Sequence, residues 1–168
     1  MSLNSTPNAE RIHIGIFGRR NAGKSSLINA ITGQELAVVS DTAGTTTDPV
    51  SKARELLPLG PVLITDTAGL DDEGELGSQR VKQSYRVLFK SDIALVVIDG
   101  TKGVTAFDEE IIEKLKERKV PYIKVINKCG LLDSVPKPAA DEIYTDALNK
   151  INIFELKEMI GRKLDVKN

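Results

Sequence analysis

The sequence contains no tryptophan, a single cysteine and a single histidine among its 168 residues. One cysteine, Cys129, excludes an intramolecular disulfide and is typical of a protein in a reducing compartment. No apolar run approaches the roughly 18 residues that a membrane-spanning helix needs, and the first residues lack the apolar core of a signal peptide. We therefore expect a cytoplasmic protein with no membrane partner.

Neither sign of charge is in excess, since 23 lysine and arginine residues face 24 aspartate and glutamate residues. A balanced charge gives no support for a nucleic-acid partner, which usually requires a basic surface. The length suits one α/β domain that buries a full core. We expect a flexible leader over residues 1–10 and one domain over residues 11–165.

Strand-like and helix-like patterns alternate along the chain. Strands are predicted at Arg11–Phe17, Ala53–Leu57, Pro61–Thr65, Ile93–Ile98, Pro121–Ile126 and Glu142–Thr145. Apolar residues at helical spacing follow at Leu27–Ile31, Val81–Leu88, Glu109–Arg118 and Ile153–Leu164, and Val38–Val50 reads as a long functional loop. The second and third strands should form a hairpin. The pattern predicts an α/β fold with a mostly parallel sheet, helices on both faces and a ligand at the C-terminal ends of the strands.

The segment Gly18–Ser25 fits the pattern G-x-x-x-x-G-K-[ST] between a predicted strand and a predicted helix. Its glycines let backbone N–H groups curl round a β-phosphate, and the helix N-terminus adds positive charge. Lys24 is placed to bridge β- and γ-phosphates, and the Ser25 hydroxyl to ligate Mg²⁺. The remaining predicted contacts of this P-loop are Arg20, Asn21, Ala22, Gly23 and Ser26. The alternative is a glycine-rich turn that matches by accident.

Two further segments predict the rest of a triphosphate site. Asp66 begins a D-x-x-G element in which its carboxylate reaches Mg²⁺ through a water and the Gly69 N–H bonds the γ-phosphate. A hydroxyl of the threonine-rich loop, Thr46 first and Thr45 next, should complete the Mg²⁺ shell and be released on hydrolysis. A strand-ending turn and a threonine-rich linker are the alternatives.

The pair Asn127-Lys128 begins a guanine-recognition motif, N-K-x-D, but the fourth residue is Gly130. In that motif the asparagine bonds the base and the nucleotide loop, the lysine covers the ring, and the aspartate accepts hydrogen bonds from N1–H and the 2-amino group. The two lost bonds are worth roughly 1.5–3 kcal/mol each where they are buried. Asp133 is three residues too late to be assigned as a substitute.

The usual Ser-Ala element near the last strand is also altered and reads Asp146-Ala147. The Ala147 N–H is still expected to meet the guanine O6, while the serine hydroxyl is absent. The short segment between the two motifs contains Pro136 and Pro138, which leaves little room for a full helix. GTP and GDP are therefore the expected ligands, and base selectivity is the open question.

Together these motifs resemble the TrmE/Era-like GTPases of tRNA modification and ribosome assembly. Within that group the segments Phe17–Ser26, Thr45–Val50 and Glu55–Val62 resemble the GTPase domain of HydF, the [FeFe]-hydrogenase maturation factors, over roughly residues 5–133. The resemblance implies a small G-protein-like P-loop domain that hydrolyses GTP slowly and regulates a scaffold for the di-iron subcluster. It implies as partners the other domains of the full-length protein, two radical-SAM maturases and the hydrogenase, with no iron–sulfur cluster in this segment. A homodimer of G domains is left open.

The same resemblance concerns four residues of the loops. Asn21 matches the asparagine that holds a monovalent cation, usually K⁺, against the phosphates, although a plain loop asparagine is the alternative. Leu70 stands where Ras-like enzymes have a water-orienting glutamine, so turnover should be slow. Glu75, and after it Glu73, are candidates to position the attacking water.

Several residues also have ordinary structural interpretations. We interpret His13 as part of the first strand, Cys129 as a buried thiol, and Arg19 and Arg20 as solvated arginines unless they approach a phosphate. Two other functions remain open. One is an interaction module that binds nucleotide with little hydrolysis, and the other is an RNA-modification or ribosome-assembly GTPase.

Overall fold

A computed structural model describes residues 12–18, 22–33, 50–56, 60–66, 86 and 89–167. The strands are β1 Ile12–Gly18, β2 Val50–Leu56, β3 Gly60–Asp66, β4 Ile93–Asp99, β5 Tyr122–Asn127 and β6 Glu142–Tyr144. The helices are α1 Lys24–Thr32, α2 Ala106–Glu117 and α3 Ile153–Lys167. The predicted elements that fall on described residues are confirmed, with ends displaced by a few residues. The predicted helix at Val81–Leu88 lies outside the described residues except for Arg86, and the predicted loop except for Val50, which begins β2.

The strands form one sheet in the order β2-β3-β1-β4-β5-β6. All neighbours are parallel except β2 and β3, which form the predicted hairpin with Leu56 opposite Gly60. Parallel strands need crossover helices, and β2 can be antiparallel because a short connection joins it to β3. The fold class predicted from the sequence is therefore confirmed.

The central strand β4 shows why the sheet carries helices on both faces. Every residue of Ile93–Ile98 is buried, so side chains of both orientations need a covering layer. Leu95 and Val97 belong to a cluster with apolar residues of α1 and α3. Ala94, Val96 and Ile98 belong to a second cluster with apolar residues of α2. The alternation along one strand thus separates two layers of helix.

The helices have the apolar stripes that the sequence predicts. In α3 the residues Ile153, Leu156, Ile160 and Leu164 are all buried at helical spacing. The N-terminus of α2 is closed by a capping box, in which Thr105 Oγ1 accepts from the Asp108 N–H and Asp108 accepts from the Thr105 N–H. No helix among the described residues is long and apolar enough to cross a membrane.

The parallel register places the ends of four strands at one edge of the sheet. Ile16 in β1 pairs with Asp66 in β3, and Asp99 in β4 pairs with Asn127 in β5. Every residue between β5 and β6 is described, and the only helix in this segment is the short 3-10 helix Cys129–Leu131, in agreement with the little room expected around the two prolines. The motif residues therefore meet where an α/β sheet normally binds its ligand.

Candidate functional site

The P-loop turn joins β1 to α1, and Gly23 immediately precedes the helix. Gly23 has φ +93° and its carbonyl accepts the first helical hydrogen bond, from the Leu27 N–H at 2.9 Å. The helix has no side-chain N-cap and no acidic residue in its first turn. No side chain of the helix's own first turn therefore competes for its first N–H groups, which is the arrangement that binds phosphate.

Two motifs meet through an ion pair at the start of α1. Lys24 Nζ lies 3.3 Å from Asp66 Oδ1, and the two side chains are 7% and 20% exposed. The pair places an ammonium group and a carboxylate beside the phosphate-binding turn. An oxygen donor set of a hydroxyl and a carboxylate, from Ser25 and Asp66, suits a hard cation such as Mg²⁺.

Asn127 connects the P-loop to the two segments that follow β5 and β6. Its Nδ2 donates to the Ala22 carbonyl at 3.0 Å. Its Oδ1 accepts from Thr145 Oγ1 at 3.2 Å and from the Ala147 N–H at 3.0 Å. The side chain is almost wholly buried, so these bonds are poorly replaced by water. The predicted contact of Asn127 with the nucleotide loop is present.

The Ala147 N–H is engaged with Asn127 in this structure. It can therefore bond a guanine O6 only if the N–H is shared between O6 and Asn127 Oδ1, or if it leaves Asn127 for O6. Ala147 itself is buried, at the end of the segment that follows β6. The contact with O6 stays a prediction.

Lys128 adopts a left-handed backbone, with φ +67°, and its Nζ lies 3.0 Å from Asp99 Oδ2. Burial raises the pKa of the Asp99 carboxyl, but hydrogen bonds from Thr101 and Lys128 outweigh that effect and hold the pKa below its ordinary value. Sequence reasoning missed Asp99. The available signal was an aspartate at the end of a buried strand next to the one that ends in Asn127.

The lowered pKa of Asp99 predicts a pH dependence of stability. Asp99→Asn should lower the free energy of unfolding at pH 7 by about 1 kcal/mol, since a hydrogen-bonded ion pair is lost. The ionised form stabilises the fold above the unfolded-state pKa, near 3.9, and this contribution disappears as the pH falls through the lower folded-state pKa. Urea denaturation at pH 7 and at about pH 3 should therefore show the difference between parent and variant shrinking in acid. A difference that grows in acid would contradict this assignment.

The structural interpretations of Cys129 and His13 agree with the geometry. Cys129 is buried and its N–H bonds the Thr145 carbonyl at 2.9 Å. Burial, with a smaller effect of the negative charge of Asp146, raises the pKa of the thiol and disfavours the reactive thiolate. The backbone of His13 is paired with Asp92, which accepts from the His13 N–H at 2.9 Å and donates its own N–H to the His13 carbonyl at 2.8 Å.

The two altered positions of the base-recognition motifs are in contact. Asp146 Oδ2 accepts from the Gly130 N–H at 3.1 Å, whereas Asp133 is exposed. Sequence reasoning treated these as separate losses. The sequence does show that the first motif lacks an aspartate at position 130 and that the second has an extra one at position 146.

Several predicted site residues lie outside the part of the chain that the structure describes. They are Arg19, Arg20, Asn21, Thr45, Thr46, Gly69, Leu70, Glu73 and Glu75. The described members that the fold brings to one edge are Ala22, Gly23, Lys24, Ser25, Ser26, Asp66, Asn127, Lys128 and Ala147. The phosphate and base halves of the predicted site are thus adjacent.

Comparison with known proteins places this site in a family. A family model described as 50S ribosome-binding GTPase matches residues 13–128. The chain is 36% identical over 142 residues to the GTPase Der of Nitratidesulfovibrio vulgaris, covering 82% of this chain and 29% of that protein. It is 40% identical over 125 residues to the tRNA modification GTPase MnmE of Laribacter hongkongensis, covering 73% of this chain and 27% of that protein. The chain thus spans less than a third of either relative.

Solved structures show the same fold. A structure of Era from Aquifex aeolicus bound to GDP.AlF4- superimposes with a TM-score of 0.68 at 28% identity, covering 88% of this chain and 55% of that one. The G domain of the T. maritima FeoB iron transporter superimposes with a TM-score of 0.67 at 20% identity. It covers 92% of this chain and 99% of that one, so the shared unit is a complete G-domain fold.

Proposed function

We propose that this chain, which belongs to the family described as 50S ribosome-binding GTPase, binds and hydrolyses GTP. In this proposal turnover is slow and requires Mg²⁺, and the chain is the regulatory G domain of a HydF-type scaffold. The observation that carries the proposed GTP chemistry is the buried Lys24, paired with Asp66 at the uncapped N-terminus of α1. This arrangement holds a positive charge where the β- and γ-phosphates would lie.

The proposed reaction is an in-line attack of water on the γ-phosphorus. Lys24 and the first N–H groups of α1 stabilise the charge that develops on the phosphate oxygens. Ser25, Asp66 and the predicted Thr46 would hold Mg²⁺, which supplies charge neutralisation between the β- and γ-phosphates. Gly69 would donate its N–H to the γ-phosphate, and Glu75 would orient the water. With Leu70 at the position of a water-orienting glutamine, the barrier stays high and turnover slow.

The HydF role rests on the resemblance of the P-loop, the threonine-rich loop and the β2–β3 hairpin sequences. Binding and hydrolysis would reorganise residues 37–50 and 70–77, and partner domains, radical-SAM maturases or a second G domain would respond to that change. Because the chain spans less than a third of Der and of MnmE, we assign this proposed role to the protein as a whole and not to the domain alone.

A ribosome-assembly or tRNA-modification GTPase is the second candidate function. Its support is the similarity to Der and MnmE. The balanced charge of the chain argues against a strong RNA surface on this domain. Gel-shift titration with ribosomal RNA and tRNA at about 150 mM salt separates the two. Absence of a shift is expected, and saturable, salt-sensitive binding would favour the second candidate.

Phosphate release tests the proposed hydrolysis. Release from GTP should exceed release from ATP, and replacing Na⁺ with K⁺ should raise the GTP rate about tenfold, because a K⁺ held by Asn21 adds positive charge to the transition state. Asn21→Ala should remove the difference between the two salts, while Lys102→Ala, a change at an exposed lysine, should preserve it. Equal rates in both salts would exclude the cation role of Asn21. Equally slow release from both nucleotides, with weak binding, would favour an interaction module instead.

A further inference from the structure

Gly130 and Asp146 replace two residues of the guanine-recognition motifs, and the fold brings them into contact. They are 16 residues apart in the chain, yet the Gly130 N–H donates to Asp146 Oδ2 at 3.1 Å. A Cβ atom added to Gly130 would lie 2.2 Å from that same oxygen. The space in which a side chain at position 130 would begin is therefore occupied by the carboxylate of Asp146.

The Asp146 carboxylate is held in a defined orientation. Its Oδ1 accepts from the Asn149 N–H at 3.1 Å, and its Oδ2 also accepts from Asn149 Nδ2 at 3.0 Å. The backbone of Asp146 is paired with Ile151 in both directions, and the residue is 5% exposed. A carboxylate in such surroundings keeps its position when a ligand arrives, which lowers the entropic cost of binding.

This carboxylate retains capacity to accept further hydrogen bonds. The three bonds just described occupy three of the roughly four acceptor positions of an ionised carboxylate. One donor, the Asn149 side-chain amide, belongs to an exposed residue and can turn to water. Two adjacent N–H donors of a ligand can therefore be accommodated.

The carboxylate of Asp146 lies between the two segments that carry the base-recognition motifs. The neighbour of Gly130 is the buried Cys129, and the neighbour of Asp146 is Ala147, whose N–H bonds Asn127. Asn127 in turn bonds the P-loop at Ala22. Asp146 thus directly precedes the residue whose N–H bonds Asn127, the side chain that connects base recognition to phosphate binding, whereas Asp133 is exposed.

The chemistry of the purine edge identifies the ligand. Guanine presents N1–H and a 2-amino group side by side, two donors that match one carboxylate. Adenine presents an unprotonated N1, which a carboxylate repels, and xanthine has a carbonyl in place of the 2-amino group. A carboxylate at this position selects guanine over both.

We propose that Asp146 is the specificity-determining residue of the base pocket and supplies, from the segment after β6, the carboxylate that Gly130 lacks. Gly130 is required at its position because any side chain there would displace that carboxylate. This inference rests on the proposed GTPase function, since it names the group that recognises the base in the same site.

Nucleotide titration calorimetry of the 168-residue chain tests the assignment. Asp146→Asn should lower the affinity for GTP about tenfold or more and raise the affinity for XTP, because an amide can donate to the xanthine 2-carbonyl. Asp133→Asn is the matched control and should leave the ratio of GTP to XTP affinity unchanged. A folded Asp146→Asn protein with the parent's ratio would overturn the proposal.

A second pair of variants moves the carboxylate instead of removing it. Gly130→Asp alone should weaken GTP binding, because its Cβ meets Asp146 Oδ2, whereas Gly130→Asp combined with Asp146→Ser should restore the preference for GTP. A double variant that binds GTP no better than Gly130→Asp alone would overturn the proposal, also where Asp146→Asn fails to fold.

The two kinds of failure can be told apart. If the parent binds GTP, XTP and ATP equally, the proposed GTPase function itself fails. If the parent prefers GTP and Asp146→Asn keeps the same ratio of GTP to XTP affinity, only the role of Asp146 is contradicted.

Discussion

Replacing Lys24 with alanine should lower the affinity for GTP about a hundredfold or more, the largest effect expected of a single side chain in this domain. The lysine is buried at the start of α1, where its ammonium group would donate to both the β- and γ-phosphates. Two charge-assisted bonds at about 1.5–3 kcal/mol each together exceed the roughly 2.8 kcal/mol that a hundredfold represents. Isothermal titration with GTP measures the loss directly.

The exposed Lys102 provides the control for this change. Lys102→Ala alters the net charge equally but should leave the affinity for GTP within about twofold of the parent, since surface charges are screened. Circular dichroism of Lys24→Ala without nucleotide checks that the variant stays folded after its ion pair with Asp66 is lost. Parent-like GTP binding by Lys24→Ala would remove the basis of the proposed function.

Gly23→Ala should abolish nucleotide binding and destabilise the fold by about 3 kcal/mol or more. Gly23 has φ +93°, and a Cβ there would lie 2.3 Å from Asn127 Nδ2. The asparagine cannot move away cheaply, since it is buried and its three hydrogen bonds join the P-loop, Thr145 and Ala147. The substitution therefore disrupts both halves of the site.

Gly33→Ala is the control that measures the cost of backbone strain without a steric clash. It ends α1 with φ +73°, and a Cβ there would meet nothing within 4 Å. Gly33→Ala should therefore cost only about 1–2 kcal/mol, the penalty of a left-handed alanine, and leave GTP binding intact. Urea denaturation of both variants gives the comparison. Equal costs would show that Gly23 has no close contact with Asn127.

The combination of Gly23→Ala with Asn127→Ala provides an independent check on that contact. If the alanine at position 23 acts by displacing Asn127, the two losses of stability should be clearly less than additive. Full additivity would mean that the two residues act independently, which the 2.3 Å approach does not allow.

Most of the fold is predictable from local patterns. The continuous apolar run at Ile93–Ile98 indicates a strand buried on both faces, and the stripe of α3 indicates a helix buried on one. The register of the sheet is different, because it depends on pairings between distant segments. The sequence suggests no reason why Asp99 should pair with Asn127 rather than with a neighbour one residue away.

The candidate site divides in the same way. Its phosphate half was predictable because the contributing residues are contiguous and the glycine, lysine and serine spacing carries the chemistry by itself. Its base half was predicted less well. The Lys128–Asp99 ion pair joins residues 29 positions apart and exists only because β4 and β5 end side by side.

The sequence alone determined that this chain has a P-loop between a strand and a helix, because eight consecutive residues specify that turn through local backbone geometry. Only the tertiary structure decided what stands in the place of the missing aspartate at Gly130. The parallel pairing of Ile126 with Tyr144 brings the segments after β5 and β6 together, and the carboxylate of Asp146 then fills the space that a glycine leaves open. A contact across 16 residues depends on strand register, and register is a property of the assembled sheet.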